Sequence, residues 1–254
     1  MSIAEKLNII AENEQKVYDA GKQAEYDAFW DMFQINGERR NYGYAFLGGT
    51  WNEDMFQPKY DMNITVGLLM FAYNGHNNGG ALIDIKGLLE RAGVTLDTSN
   101  CSDMKMFCYI AKSITRLPVI SFESCTNLNA NFYQATSLKS IDKLILKSDG
   151  TNTYQNNSYD RPFFSCNALE HMPVEGVIGQ NGFDVHWSTK LDRESIISII
   201  NALSTTTTGL TVTLSKTAVN NAFGINVDDP TTYPEGSEWY ELRNSKSNWT
   251  ISFA

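Results

Sequence analysis

Three histidines, His76, His171 and His186, and four cysteines, Cys101, Cys108, Cys125 and Cys166, have the widest chemical range of any residues in this 254-residue chain. Their spacing does not form a centre. There is no C-x-x-C pair, and the distant histidines complete no zinc-finger pattern, so the cysteines are read as free thiols that pack as small apolar residues. Hydrolysis would need a nucleophile with its base, or paired carboxylates in defined surroundings. The sequence contains no G-x-S-x-G, H-E-x-x-H or P-loop pattern. Asp160, Glu170, Glu175 and Asp184 are scattered and read as solvated, and Asp228-Asp229 lacks the frame of a calcium loop. No catalytic, cofactor or metal site is therefore expected. Contact is the better expectation: His186, Trp187, Tyr154 and Tyr159 are amphipathic aromatics in polar surroundings, which suits glycan or protein surfaces, although core packing is the commoner role for a residue such as Trp187. The basic pair Arg39-Arg40 reads as a solvated turn.

Composition agrees with a non-catalytic surface. Hydrophobic residues make up 42% and charged residues 19%, so the chain can bury a core and one or two domains are expected. Acidic residues outnumber basic ones by 29 to 20, giving a net charge of −9 that repels phosphate backbones and anionic lipid. Neither nucleic acid nor membrane insertion is expected. Asn, Thr, Ser and Gly fill the place of charge. The N-terminus has no basic region leading into an apolar export segment. The most apolar window, Val66 to Tyr73, is too short to span a bilayer and reads as a buried strand.

The elements follow from periodicity. Residues 3–34 lack proline and are rich in Ala, Glu, Lys and Gln, which predicts a helix about 45 Å long at about 1.5 Å per residue. Ile3, Leu7, Ile10, Val17, Gly21, Ala24 and Ala28 fall at alternating spacings of four and three, interrupted by Glu14. This heptad-like stripe reads either as an amphipathic helix lying on the protein's own core or as an attachment or oligomerisation segment over residues 1–36, with Ile3, Leu7, Ile10, Val17 and Ala24 as its contact positions. Tyr26, Phe29, Trp30 and Phe33 would anchor it. Residues 37–81 break into short apolar runs among Gly and Asn, a β-rich collar. Asp84 to Gly93 reads as a short amphipathic helix stopped by its glycine.

An internal repeat dominates the rest. Phe122 is followed by Cys125 and Leu128; Phe132 by Ala135, Leu138 and Ile141; Phe163 by Cys166, Leu169 and Met172. The shared pattern is F-x-x-[CA]-x-x-L. Weaker copies run from Phe107 to Ile120 and from Leu191 to Leu203. Such a unit cannot bury its apolar edge alone, but stacked copies form a continuous core. The expected architecture is α/β: a short leucine-rich-repeat solenoid over 82–214, preceded by the helix and collar and closed by a cap at 215–254. Leu210 to Leu214 and Trp249 to Phe253 read as strands near that closing end. Outward residues of the rung ending at Leu146, namely Ser140, Asp142 and Lys143, could line a binding surface.

The phrases FESCTNL, FYQATSLKSIDKL and FFSCNALEHMPVEGVI resemble BspA-type leucine-rich repeats. SIISIINALSTTTTGLTVTLS resembles a terminal repeat of leucine-rich-repeat proteins encoded by phages and prophages of gut Firmicutes. The opening IAEKLNIIAENEQKVYDAGKQAEYDAFWDMFQINGERRNYGYAF and the tail FGINVDDPTTYPEGSEWYELRNSKSNWTISFA resemble segments of phage structural proteins of that group. Residues 147–162 are an insertion, and 43–80 match no repeat. The resemblance implies a non-enzymatic tail-associated protein of baseplate or fibre, made in the bacterial cytoplasm and carried on the virion. Its implied partners are other tail proteins and a protein or glycan receptor on a bacterium. A homo-oligomer, taken as a trimer, is expected. The alternatives are a BspA-like surface adhesin and, more distantly, a cell-wall hydrolase.

Overall fold

The computed structural model describes residues 3–33, 39–43, 45–47, 51–76, 82–154 and 161–254. It is a mixed α/β protein in which every strand pairing among the described residues is parallel. Helix α1 spans Ile3–Phe33; strands β1 (Arg39–Asn41), β2 (Met62–Val66) and β3 (Leu96–Asp97) pair in that order, with α2 (Ile85–Ala92) between the last two. Strands β4 (Arg116–Ser121), β5 (Ser140–Ile145) and β6 (Val174–Glu175) form a second sheet. Then come α3 (Arg193–Ala202), β7 (Leu210–Leu214), α4 (Lys216–Phe223), α5 (Glu238–Asn244) and β8 (Trp249–Phe253), with β8 paired to β7. None of these sheets closes.

Helix α2 has the ends its sequence predicts. The Asp84 side chain accepts the Gly87 N–H, and Gly93 takes a left-handed φ of 68° after the last turn.

The expected strand over Val66–Tyr73 is not formed: β2 ends at Val66, and the chain continues in turns. Leu69 and Tyr73 have φ of 55° and 60°, and Met106, Ile110, Ala130 and Gln134 repeat that handedness at matching places. These residues break the extended conformation without leaving the backbone unpaired. The N–H groups of Leu69, Phe71 and Tyr73 donate to the carbonyls of Lys105, Phe107 and Tyr109. Those of Met106, Cys108 and Ile110 donate to Asn129, Asn131 and Tyr133, and those of Phe132 and Gln134 to Pro162 and Phe164. A ladder of turns thus runs beside the ladder of strands and satisfies the buried amides.

Residues 37–81, the predicted collar, contribute strands to a sheet that continues beyond them. Strands β1 and β2 are short, and they join β3 and the turns of 103–109 across the expected boundary at residue 82. One buried apolar cluster runs from Trp30 to Ile251, and the β7–β8 pair bridges the expected boundary at 214.

All the expected repeat-core side chains, Phe122, Cys125, Leu128, Phe132, Ala135, Leu138, Ile141, Phe163, Cys166 and Leu169, are 2% exposed or less. Phe132 stacks on Phe163 at 5.4 Å, and Phe163 meets Phe183 at 5.7 Å. The buried thiols of the small-residue slot are hydrogen-bonded: Cys125 Sγ donates to Asn127 O and Cys166 Sγ to Phe132 O of the neighbouring turn. Asparagine serves inside as well as outside. Buried Asn74 donates to Phe46 O and Phe71 O, and buried Asn152 to Phe122 O and Cys125 O, each clamping a turn.

Candidate functional site

The sheet face of β4–β5–β6 carries the first candidate surface. Its register sets Arg116 beside Ser140, and Ser140 beside His171. Each charge along this face has a partner. Asp84 holds the Arg116 guanidinium on both oxygens, Lys86 Nζ reaches Asp142 at 2.8 Å, and Lys143 Nζ reaches Glu175 at 2.8 Å. His171 Nδ1 faces Asp192 Oδ2 at 2.6 Å. Burial pushes the Asp84 carboxyl upward, but the hydrogen bonds from Arg116 and the Gly87 N–H outweigh it and hold the group below the ordinary carboxylate range. Asp192 is lowered in the same way: burial opposes, while Ser195 and His171 favour its ionised form.

Between α2 and this sheet lies an open groove of about 270 Å³, floored by Leu89, Val94, Leu96, Pro118 and Val119 and edged by the Lys86–Asp142 pair. Of the three β5 residues expected to line a binding surface, Asp142 borders this groove. Ser140 and Lys143 are half-buried beside it on the same strand. A larger cleft of about 570 Å³ sits at the root of α1, where Lys59 pairs with Asp27 at 3.5 Å and Arg91 with Glu53 at 3.6 Å.

The turn ladder carries a second surface, a column of rings. Tyr73 meets Tyr109 at 5.7 Å, Tyr109 stacks on Tyr133 at 5.1 Å, Tyr133 on Phe164 at 4.8 Å, and Phe164 meets Trp187 at 4.9 Å. His186 and Trp187 end this column, and their rings lie 4.8 Å apart. His186 Nδ1 is 2.5 Å from Asp184 Oδ1, and Arg161 Nη1 is 3.2 Å from Asp184 Oδ2.

Tyr154 corrects an expectation. It is 6% exposed, its ring packs edge-on against Phe183 at 5.2 Å, and its hydroxyl has no partner. The Thr153 N–H bonds to Thr126 O, which ties this part of the chain to the neighbouring turn and leaves Tyr154 in the core. Burial drives its phenol well above its ordinary pKa. Tyr159 lies outside the described residues, as do the side chains of Ile3, Leu7 and Ile10. Val17 and Ala24 are exposed on α1.

Neither His–carboxylate pair presents a nucleophile. Ser195 Oγ is buried and accepts the Met172 N–H, and Ser188 Oγ donates to Cys166 O. Burial pushes the Cys101 and Cys166 thiols up to about 12, against nucleophilic use at neutral pH. Among the described residues no group of three or more His, Cys, Asp or Glu is placed to hold a metal ion, and no helix is long and apolar enough to cross a membrane.

The sequence reading did not find Asp84, Lys86, Arg116 or the aromatic column. A signal for the column was present in the doubled aromatics Phe132-Tyr133 and Phe163-Phe164, where the first ring enters the core and its neighbour faces the column, and in His186-Trp187 at its end. Comparisons of the chain with protein-family models, curated proteins and solved structures returned no match.

Proposed function

We propose that this chain is a non-enzymatic structural and receptor-binding component of a phage tail, with a leucine-rich-repeat solenoid as its body and α1 as its attachment. The observation that carries the reading is the contrast between the two ends of α1. Trp30 is fully buried, donates from Nε1 to Met55 O at 3.2 Å, and packs against Phe46 and Phe56. Every described side chain from Glu12 to Glu25 is exposed. A helix rooted in a body and exposed at every described side chain over residues 12–25 suits a protein made to join something else.

Support for the solenoid comes from the parallel pairing of β4, β5 and β6 in sequence order, and from the Phe, Cys or Ala, and Leu rungs buried beneath them. The internally paired charges of the β4–β5–β6 face leave Pro118 and Val119 as its open apolar surface, which suits contact with a receptor protein or glycan. Assignment to a tail rests on the resemblance of the N-terminal and C-terminal phrases to phage structural proteins.

Gradient-purified particles from the lysate that encodes the chain test this directly. Peptides from both α1 and the body, present in the particle band at the level of a structural protein, are expected. Recovery only from the cell envelope would favour the adhesin. A muralytic zymogram band abolished by one carboxylate substitution would overturn the non-enzymatic reading.

A further inference from the structure

We propose that the C-terminal region holds a binding site for a carboxylate-bearing sugar, with Arg243 receiving the carboxylate. An open cleft of about 320 Å³ lies between α5 and the turn before it, walled by Pro230, Tyr233, Pro234 and Tyr240 and carrying Glu235 and Arg243. Ion pairing singles out one residue of this wall. Arg91, Arg116, Arg161 and Arg193 each pair with a carboxylate. Arg243 pairs with none among the described residues, in a chain whose acidic residues outnumber its basic ones by 29 to 20. Its Nη1 donates to the Tyr233 hydroxyl at 3.2 Å, a neutral partner. A basic residue in the last turn of a helix can serve the terminal carbonyls, but this guanidinium donates to none of them among the described residues. Arg243 is half-buried, stays charged and carries five N–H donors, so most of its capacity is open.

The cleft is held in shape before any ligand arrives. Tyr233 is 5% exposed, and its hydroxyl, which accepts from Arg243, itself donates to Val227 O at 3.2 Å. Thr232 Oγ1 donates to Asp229 O and accepts the Asn226 N–H, and the Ser237 N–H bonds to Pro234 O, so the turn carrying Tyr233 and Pro234 is braced on both sides. Arg243 is positioned by this frame, which lowers the cost of binding. The walls select the ligand. A planar guanidinium fork matches a carboxylate on two parallel bonds. Glu235 shares the cleft without pairing with Arg243, so a dianion would meet a like charge there, whereas the hydroxyls of a monoanionic sugar would find an acceptor. Tyr240 is half-buried and stacks on no other ring among the described residues, so the C–H groups of a sugar can take that place. The volume lies at the low end of small-molecule sites and suits roughly one or two sugar units.

Calorimetric titration of the full-length chain with glucuronate tests the proposal. One saturable site with a Kd on the order of 1 mM is expected, weakening with added salt. Glucose, which has the ring without the carboxylate, should bind at least ~10-fold more weakly, and glucose 6-phosphate should not overtake glucuronate. Arg243→Gln should weaken glucuronate binding at least ~10-fold, and Arg243→Lys, which keeps the charge and loses the fork, should fall between. Tyr240→Ala should weaken it as well. Arg193→Gln, at a residue already paired with Glu238 and outside the cleft, should leave binding unchanged. Thermal melts establish that each variant is folded; if Arg243→Gln is not, Tyr240→Ala and the glucose comparison decide. No saturation by glucuronate at about 20 mM overturns the proposal, as does equal binding of glucose or unchanged affinity in a folded Arg243→Gln. Tighter binding of phosphocholine, a zwitterion matched to Arg243 and Glu235, would overturn the choice of a sugar. The site goes beyond the tail assignment and is separable from it: glucuronate bound by a chain absent from particles would fail only that assignment, and a chain found in particles that binds no glucuronate would fail only this.

Discussion

Tyr133 and Phe164, from neighbouring turns, stack nearly face to face with ring centroids 4.8 Å apart and planes 11° from parallel. One residue earlier in each turn, Phe132 and Phe163 stack the same way, also at 11°, inside the core. Two parallel columns of rings thus run through consecutive turns, one fully buried and one less so, with Tyr133 buried and Phe164 half-buried.

The two columns should differ in energetic weight. Phe163→Ala removes a fully buried ring from between Phe132 and Phe183 and should cost about 3–5 kcal/mol. Phe164→Ala, at a half-buried position, should cost about 1–2 kcal/mol, the value of a partly buried aromatic contact. Urea unfolding of both variants checks the ranking.

How much of this was legible in the sequence follows from the same rings. Phe132, Ala135 and Leu138 disclosed themselves by a spacing of three, because burial demands the same residue type in each copy. α1 and α2 were legible from composition, stripe and caps, and α1 ends within a residue of the expected boundary. The turns at 68–75 were not, because an apolar run is equally compatible with a strand, and left-handed φ at Leu69 and Tyr73 leaves no mark in composition. The charged face was missed because Asp84, Arg116 and Asp142 belong to three different elements, and their proximity depends on strand register.

Asp84 links two of those elements, capping α2 and holding Arg116 on β4. Its carboxyl is lowered in the folded state, so it contributes stability above the ordinary carboxylate pKa of about 4, and that stability is lost as pH falls through the folded value. Asp84→Asn keeps the cap and loses the charge. Its melting temperature should lie below that of the parent at pH 7, and the gap should close as pH falls below the ordinary carboxylate range. A gap unchanged with pH would contradict this.

Close backbone contact fixes Gly176. Its φ is +94°, and a Cβ there would stand 2.2 Å from Leu146 O. Gly176→Ala should destabilise by about 2–4 kcal/mol, whereas Gly209→Ala, at φ +72° but in open space, should cost about 1 kcal/mol. Thermal melts of the pair separate steric contact from backbone preference.

Two buried asparagines should respond oppositely to the same change. Asn131 is fully buried, and neither its Oδ1 nor its Nδ2 has a partner, so Asn131→Leu should stabilise by about 1–2 kcal/mol. Asn152 makes hydrogen bonds to Phe122 O, Cys125 O and the Lys147 N–H. Asn152→Leu should destabilise by about 2–3 kcal/mol because it leaves those groups unpaired. Equal signs for the two would refute the assignment of their roles.

The account's central claim, attachment through α1 and display through the repeat body, meets its most direct test in an electron cryomicroscopy reconstruction of the particle that carries the chain. The account predicts α1 packed against neighbouring subunits along residues 12–25, with the β4–β5–β6 face turned outward. Density showing α1 bare in solvent, or the sheet face buried inside the particle, would contradict it.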